Sequence, residues 1–275
     1  MSQRPAPEPA HQGARGGLGD LGDMGDMGDR GSPDPAILDN RRTSAEVGAA
    51  GPEMALLPLG ATEQHGAHLP CGTDTFLADY LADEIARRLP VWRLPTLPIT
   101  VSHMHRGAPG TVWITNRTLM ALVTDVVLSL RTQGVRKVVL VNGHGGNFVL
   151  RPIVQDLNRD YADLRVLLLE AAVRESPFSE PPGSIHAGES ETSRLLHVAP
   201  GLVRMDRAVD TDVPYPQSFL LYAPIGDLEP SGVWGHASAA SAEKGRRYHE
   251  QLVEAAVRAI RETFATLDRL RPLAE

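Results

Sequence analysis

Residues 136–147 read "RKVVLVNGHGGN". Val138, Val139, Leu140 and Val141 form an apolar run with no polar alternation, closed by Asn142 and Gly143. So short a run, bounded by a turn signal, predicts a strand buried on both faces rather than a helix. Outward from it, "MALLPLG" (54–60), "WRLPTLPITVS" (92–102) and "LRVLLLEAA" (164–172) are further candidate strands, the second weakened by its two prolines. Helical patterns lie between and after them: "DTFLADYLADEIARRL" (74–89), "TNRTLMALVTDVVLSLRTQG" (115–134) with Gly134 as its stop, "FVLRPIVQDLNRDY" (148–161), and a terminal helix over 242–270. Apolar strands alternating with helices predict an α/β fold with a mainly parallel central sheet covered on both sides.

The chain has 275 residues, 42% hydrophobic and 22% charged, enough for one sizeable core. A net charge of −7 and the lack of a long basic run argue against nucleic acid as a partner. No apolar stretch approaches the ~20 residues that span a bilayer, so no membrane partner is expected. Cys71 is the single cysteine, which excludes an internal disulfide and fits a reducing, cytoplasmic location. Residues 1–45 are rich in Gly, Asp and Pro, with "GDLGDMGDMGDRG" at 19–31. Too little apolar surface is available there to offset ordering entropy, and a disordered tail is expected, followed by a folded domain over 46–270.

In a parallel α/β sheet, sites gather in loops at the carboxyl ends of strands. Three such loops carry the unusual residues: "GATEQHGAHLPCGTD" (60–74), "NGHGGN" (142–147) and "SIHAGESETS" (184–193). Glu63 and His65 are two apart, so an extended chain points both side chains the same way. Asp74 follows a Gly/Pro turn that can fold back over them, and His144 lies among glycines that permit close backbone approach. The third loop offers His186, Glu189 and Glu191, with a helix expected to start near Thr192. Imidazoles mixed with carboxylates suit a divalent transition metal better than magnesium or calcium, and five or more such donors accommodate two ions.

Each loop alone has a plainer reading. Glu63 serves as a loop carboxylate, "NGHGGN" as a turn or a backbone nest for phosphate, and Glu189 and Glu191 as complements to a helix dipole. Their convergence on one sheet edge favours the metal reading. His197 and His249 lie at helical spacing and read as structural. His68, His103, His105 and His236 lie in loops within reach of a site. Cys71 has no neighbour arranged to lower its pKa, and Ser190 and Ser193 lack a nucleophile elbow.

With these residues assembled, the chain resembles the creatininase family of metal-dependent amidohydrolases. The resemblance is carried by "LPLGATEQHGAHLPCGTDT" (57–75), "HRGAPGT" (105–111), "VLVNGHGGN" (139–147), "HAGESETS" (186–193) and "SGVWGHASAASAEKG" (231–245). It implies a three-layer α/β/α fold, two divalent metal ions (Zn, Mn or Fe), and hydrolysis of a C–N amide bond by a metal-bridged hydroxide. By motif, Glu63, Asp74 and His144 would hold one ion and His65 and Asp74 the other. In creatininase a glutamate two residues after the second-loop histidine completes the second site. Gly146 stands there in this chain, so Glu191 is the expected substitute and Glu189 the alternative.

His186 matches a family histidine near the scissile bond and is expected, with Glu191, to be catalytic. Gly145, Gly146, His105 and Trp234 are expected to bind substrate. The resemblance further implies a homo-oligomer, often a hexamer. Met104, Ala108 and His236 depart from residues frequent in the family, which leaves the substrate open. A small cyclic amide, a formamide and a short peptide of the kind trimmed in mycofactocin maturation all fit, and a non-catalytic metal-binding scaffold is the reading from another class.

Overall fold

The computed structural model describes residues 34–170, 173 and 175–274. Strand β1 (Leu38–Asp39) and helix α1 (Ser44–Ala50) come first, then β2 (Met54–Leu59), α2 (Thr73–Ala86), β3 (Trp92–Arg93) and α3 (Asn116–Thr132). They are followed by β4 (Lys137–Asn142), α4 (Leu150–Asp160), β5 (Arg165–Leu168), α5 (Glu189–Val198), the short α6 (Ile225–Leu228) and the long α7 (Ala242–Leu270). The strands form one sheet in the order β1-β3-β2-β4-β5, and every pairing between them is parallel.

Alternate side chains along the central strands build two cores. Ala55, Leu57 and Leu59 of β2, with Val138 and Leu140 of β4, pack against Leu119, Val123 and Val127 of α3 and Ile153 and Leu157 of α4. Leu56, Val139 and Val141 face the other way, against Leu81 and Ile85 of α2 and Leu252, Ala256 and Ile260 of α7. The result is a three-layer α/β/α sandwich whose central strands are apolar on both faces, as their uninterrupted hydrophobicity requires.

Three expectations shift. Residues 34–45, assigned to the tail, include β1, which pairs with β3 through Leu38 and Asp39. Thr43 and Glu46 then close a reciprocal capping box at the start of α1. Residues 1–33 lie outside the described set. The candidate strand 92–102 shrinks to Trp92–Arg93, because Pro95 and Pro98 have no N–H to give to a ladder. The strand expected over 164–172 ends at Leu168, and Ala171 and Ala172 lie outside the described residues. No helix among the described residues is long and apolar enough to cross a membrane.

Because the strands are parallel, their carboxyl ends share one edge. Leu59 pairs with Asn142, so the loops after β2 and β4 leave the sheet side by side, joined by Gly143 N–H donating to the Leu59 carbonyl at 2.8 Å. Gly143 lets α2 approach: a Cβ there would stand 2.8 Å from the Asp74 carbonyl oxygen. Close packing of the α2 N-terminus against these strand ends carries Asp74 into the space between the two loops.

Candidate metal centre

Five of the expected donors meet at this edge. Glu63, Asp74 and His144 offer ligand atoms within 4.8 Å of one another, and so do His65, Asp74 and Glu191. A third set, Glu63, His65 and His186, meets the same limit. Glu63, His65 and Asp74 are fully buried, His144 nearly so, and Glu191 is partly exposed to a cavity. Asp74 and Glu191 occupy the first turns of α2 and α5, where the positive end of each helix favours a carboxylate.

Backbone carbonyls fix which nitrogen of each histidine faces the centre. His65 Nδ1 lies 3.0 Å from the Glu63 carbonyl oxygen. That oxygen can only accept, so Nδ1 donates and Nε2 is left to face Asp74 at 3.4 Å and Glu191 at 3.8 Å. His144 Nε2 donates in the same way to the Val101 carbonyl at 2.9 Å, and its Nδ1 stands 3.0 Å from Asp74 Oδ2. Orientation of a ligating imidazole by a carbonyl on its far nitrogen is the usual support of a metal site.

The charge balance calls for a cation. Three carboxylates converge here, and Glu63 Oε2, His65 Nε2 and Asp74 Oδ2 are buried without a hydrogen-bond partner. Burial lifts the Glu63 carboxyl to about 7, against the pull of His144. Burial would lower His65, but Asp74, Glu191 and Glu63 outweigh it and raise the imidazole to about 10. Burial likewise opposes a charged His144, and Glu63 and Asp74 prevail to raise it to about 9. Burial would raise Asp74, yet His65 and His144 hold its carboxyl well below the usual range. Protons thus gather on the very atoms a metal would take, and a divalent ion would displace them. Buried, unpartnered mixed N/O donors fit such an ion.

Around this cluster sit two neutral imidazoles and a glutamine absent from the sequence expectations. His186 lies between His65 and His105, with ring centroids 4.3 and 4.4 Å away and the ring planes tilted by 40° and 45°. Its Nε2 donates to the Gln64 carbonyl at 2.7 Å, which turns Nδ1 toward Glu63 Oε1 at 3.8 Å. Burial, then the charge of His65, push the His186 imidazole well below its ordinary pKa. The Gln64 amide donates to His105 Nδ1 at 2.9 Å and to the Gly232 carbonyl at 3.1 Å, while its oxygen accepts from Gly66 N–H at 2.9 Å. His105 therefore presents Nε2–H to Glu63 Oε1 at 3.3 Å, and burial ahead of the nearby imidazoles lowers its pKa to about 3.

The third loop is bent to the purpose. Ala187 has φ +53°, the one non-glycine residue with positive φ among those described, and its N–H donates to Glu191 Oε2 at 2.6 Å. Such a conformation costs about 1 kcal/mol and is held by its surroundings. Helix α5 starts at Glu189 rather than near Thr192. Glu189 is fully buried away from the cluster: Ser179 N–H and Oγ donate to its Oε2 at 2.7 and 3.1 Å, and Lys244 pairs with its Oε1. Gly146 has no room for a side chain, since a Cβ there would stand 2.6 Å from Met104 Cε and 2.7 Å from the Val101 carbonyl oxygen.

A cavity of about 450 Å³ opens onto the centre, lined at its floor by Glu63, His105, His144, His186 and Glu191 and also by His103, Gly145 and Gly146. Trp234, expected to bind substrate, does not line it. The ring is buried, and the backbone of Trp234 instead bridges His186, accepting from His186 N–H at 3.2 Å and donating to its carbonyl at 2.8 Å. His236 pairs with Asp212 at 2.8 Å at the surface, and His68 supports the loop through Thr192 Oγ1 at 3.0 Å.

The family model described as creatininase, creatinine amidohydrolase, matches residues 40–260. The mycofactocin precursor peptide peptidase of Mycobacterium ulcerans is 33% identical over 225 residues, covering 77% of this chain and 86% of that protein. The 3-dehydro-scyllo-inosose hydrolase of Thermotoga maritima is 32% identical over 259 residues, covering 77% and 79%. A solved structure of creatininase with Mn superposes with a TM-score of 0.73 at 27% identity, over 83% of this chain and 99% of that one. Donor set and relatives together support divalent metal use. On fold, motifs and likeness, the chain belongs to the creatininase family and is a hydrolase of that amidohydrolase class.

Proposed function

We propose that the protein hydrolyses the C–N bond of an amide, in a small molecule or short peptide, at a centre of two divalent ions. Glu63, Asp74 and His144 would hold one, and His65, Asp74 and Glu191 the other, with Asp74 shared. The observation that carries this is the pair of donor triads meeting at Asp74 on the carboxyl edge of the sheet. When bound, the ions would supply Lewis acidity, making water acidic enough to attack near neutral pH and polarising the amide carbonyl.

The chain's own groups do the rest. His186, neutral and with Nδ1 turned to the centre, takes the proton of the attacking water and delivers it to the departing nitrogen. His105 offers an Nε2–H beside it, set by Gln64, as a donor to oxygen. Gly145 and Gly146 bring backbone to the cavity wall, and at Gly146 a side chain would collide with Met104 and the Val101 carbonyl. Neutral imidazoles kept beside the donors support a catalytic rather than a purely metal-binding role.

Zinc, manganese and iron all suit the N/O donors. Chelation should abolish amide hydrolysis and added Zn or Mn restore it, while His186→Ala should lower kcat about 10²–10⁴-fold with metal content unchanged. Undiminished hydrolysis by metal-free protein would overturn the proposal. Peptide maturation is the second reading, favoured by the likeness to the mycofactocin precursor peptide peptidase. Mass spectrometry of candidate precursor peptides, looking for a shortened product, tests it.

A further inference from the structure

The walls of the cavity differ in character from its floor. Above the donors rise Met104, Phe148, Ile185, Leu220, Leu221 and Ile225, accompanied by the neutral polar residues Asn116, Gln217 and Ser218. No lysine or arginine is among the described residues that line it. Phe148 follows the β4 loop and is 60% exposed; Leu221 comes from the turn Gln217–Leu221 and is 71% exposed. Two segments far apart in the chain thus hold large apolar side chains in water at one mouth. Such exposure over a pocket marks a binding surface.

An anionic group entering between these walls would lose hydration with no cation to replace it, other than ions at the floor engaged with the reacting amide. An ammonium group finds carboxylates only among the floor donors, Glu63 and Glu191. An uncharged aliphatic or aromatic group loses nothing polar and covers Phe148 and Leu221. We propose that the cavity selects a neutral amide bearing an apolar side chain beside the scissile bond, with Phe148 and Leu221 as its outer clamp. This rests on the amidohydrolase reading above and narrows it: a substituent that carries a carboxylate out between these walls is disfavoured.

Hydroxamates of one head group and varied tail test this by binding rather than turnover. Calorimetry on the metal-loaded protein would compare acetohydroxamate with its hexanoyl and 3-phenylpropanoyl homologues and with a chain of like length ending in a carboxylate. The apolar tails should bind about 10- to 100-fold more tightly than acetohydroxamate, the scale of one buried apolar side chain. The carboxylate tail should gain nothing. Phe148→Ser and Leu221→Ser should each shrink the advantage of the apolar tails. Equal affinities across the series, or tightest binding of the carboxylate tail, would overturn the specificity while leaving the metal centre standing. Failure of every hydroxamate, together with no bound metal, would overturn both.

Discussion

Asp74 Oδ2 stands 3.0 Å from His144 Nδ1, which ties the first turn of α2 to the loop after β4. The other oxygen of the same carboxylate stands 3.4 Å from His65 Nε2, in the loop after β2. One side chain therefore joins two segments that leave the sheet at neighbouring strands. Its placement depends on Gly143, whose missing side chain lets the helix end sit against the strand ends.

Gln64 is expected to act through the histidines it orients. In Gln64→Glu the donor facing His105 Nδ1 becomes an acceptor, the imidazole proton moves to Nδ1, and the Nε2 lone pair is turned on Glu63 Oε1. Turnover should fall about 10- to 100-fold, the usual cost of disturbing such a support, while metal content stays at the wild-type level. Parallel assay of kcat and bound metal checks this; a proportional loss of both would mean that Gln64 only maintains the fold.

Glu189 is a structural carboxylate on this account. Lys244→Met leaves it fully buried with only the Ser179 donors. Denaturant unfolding should show a loss of about 3 kcal/mol, as expected for stranding a buried charge, and the folded protein should keep its metal. Loss of metal in this variant would return Glu189 to the ligand set.

Acid should weaken the fold partly through His249, on α7. Neither of its ring nitrogens has a hydrogen-bond partner, and its ring lies 4.8 Å from that of Tyr80. Burial, followed by Arg194 and His197, lowers its pKa to about 2 in the folded protein. The unfolded chain takes up a proton near 6.5 and the folded one does not, so this stability is complete above about pH 6.5 and declines as pH falls toward 2. His68, lowered to about 4 by burial, adds to the same decline. Replacement by His249→Leu should narrow the gap in unfolding free energy between pH 7 and pH 5 by about 2 kcal/mol. An unchanged gap in denaturant titrations would contradict this.

Strands β2 and β4 and the bounds of α7 were legible because burial on two faces, or on one helical stripe, writes itself into local hydrophobicity. That Glu63, His65, Asp74, His144 and Glu191 would meet was legible because each lies in or just after a loop that leaves the carboxyl edge of a parallel sheet. Gln64 carries no such mark. Its importance lies in contacts with His105, Gly232 and His186, which only the folded chain brings near. Trp234 misled for the opposite reason: a conspicuous side chain whose contribution to the site is made by its backbone. Strand β1 escaped notice because two residues hold no periodicity, and it exists through pairing with β3.

Native mass spectrometry of the protein and of Asp74→Asn, after loading with Zn or Mn, tests the shared-ligand centre most directly. Two ions per chain are expected in the unaltered protein, and one or none in the variant, with circular dichroism unchanged. Equal metal content in the two, or full amide hydrolysis by Asp74→Asn, would contradict the account.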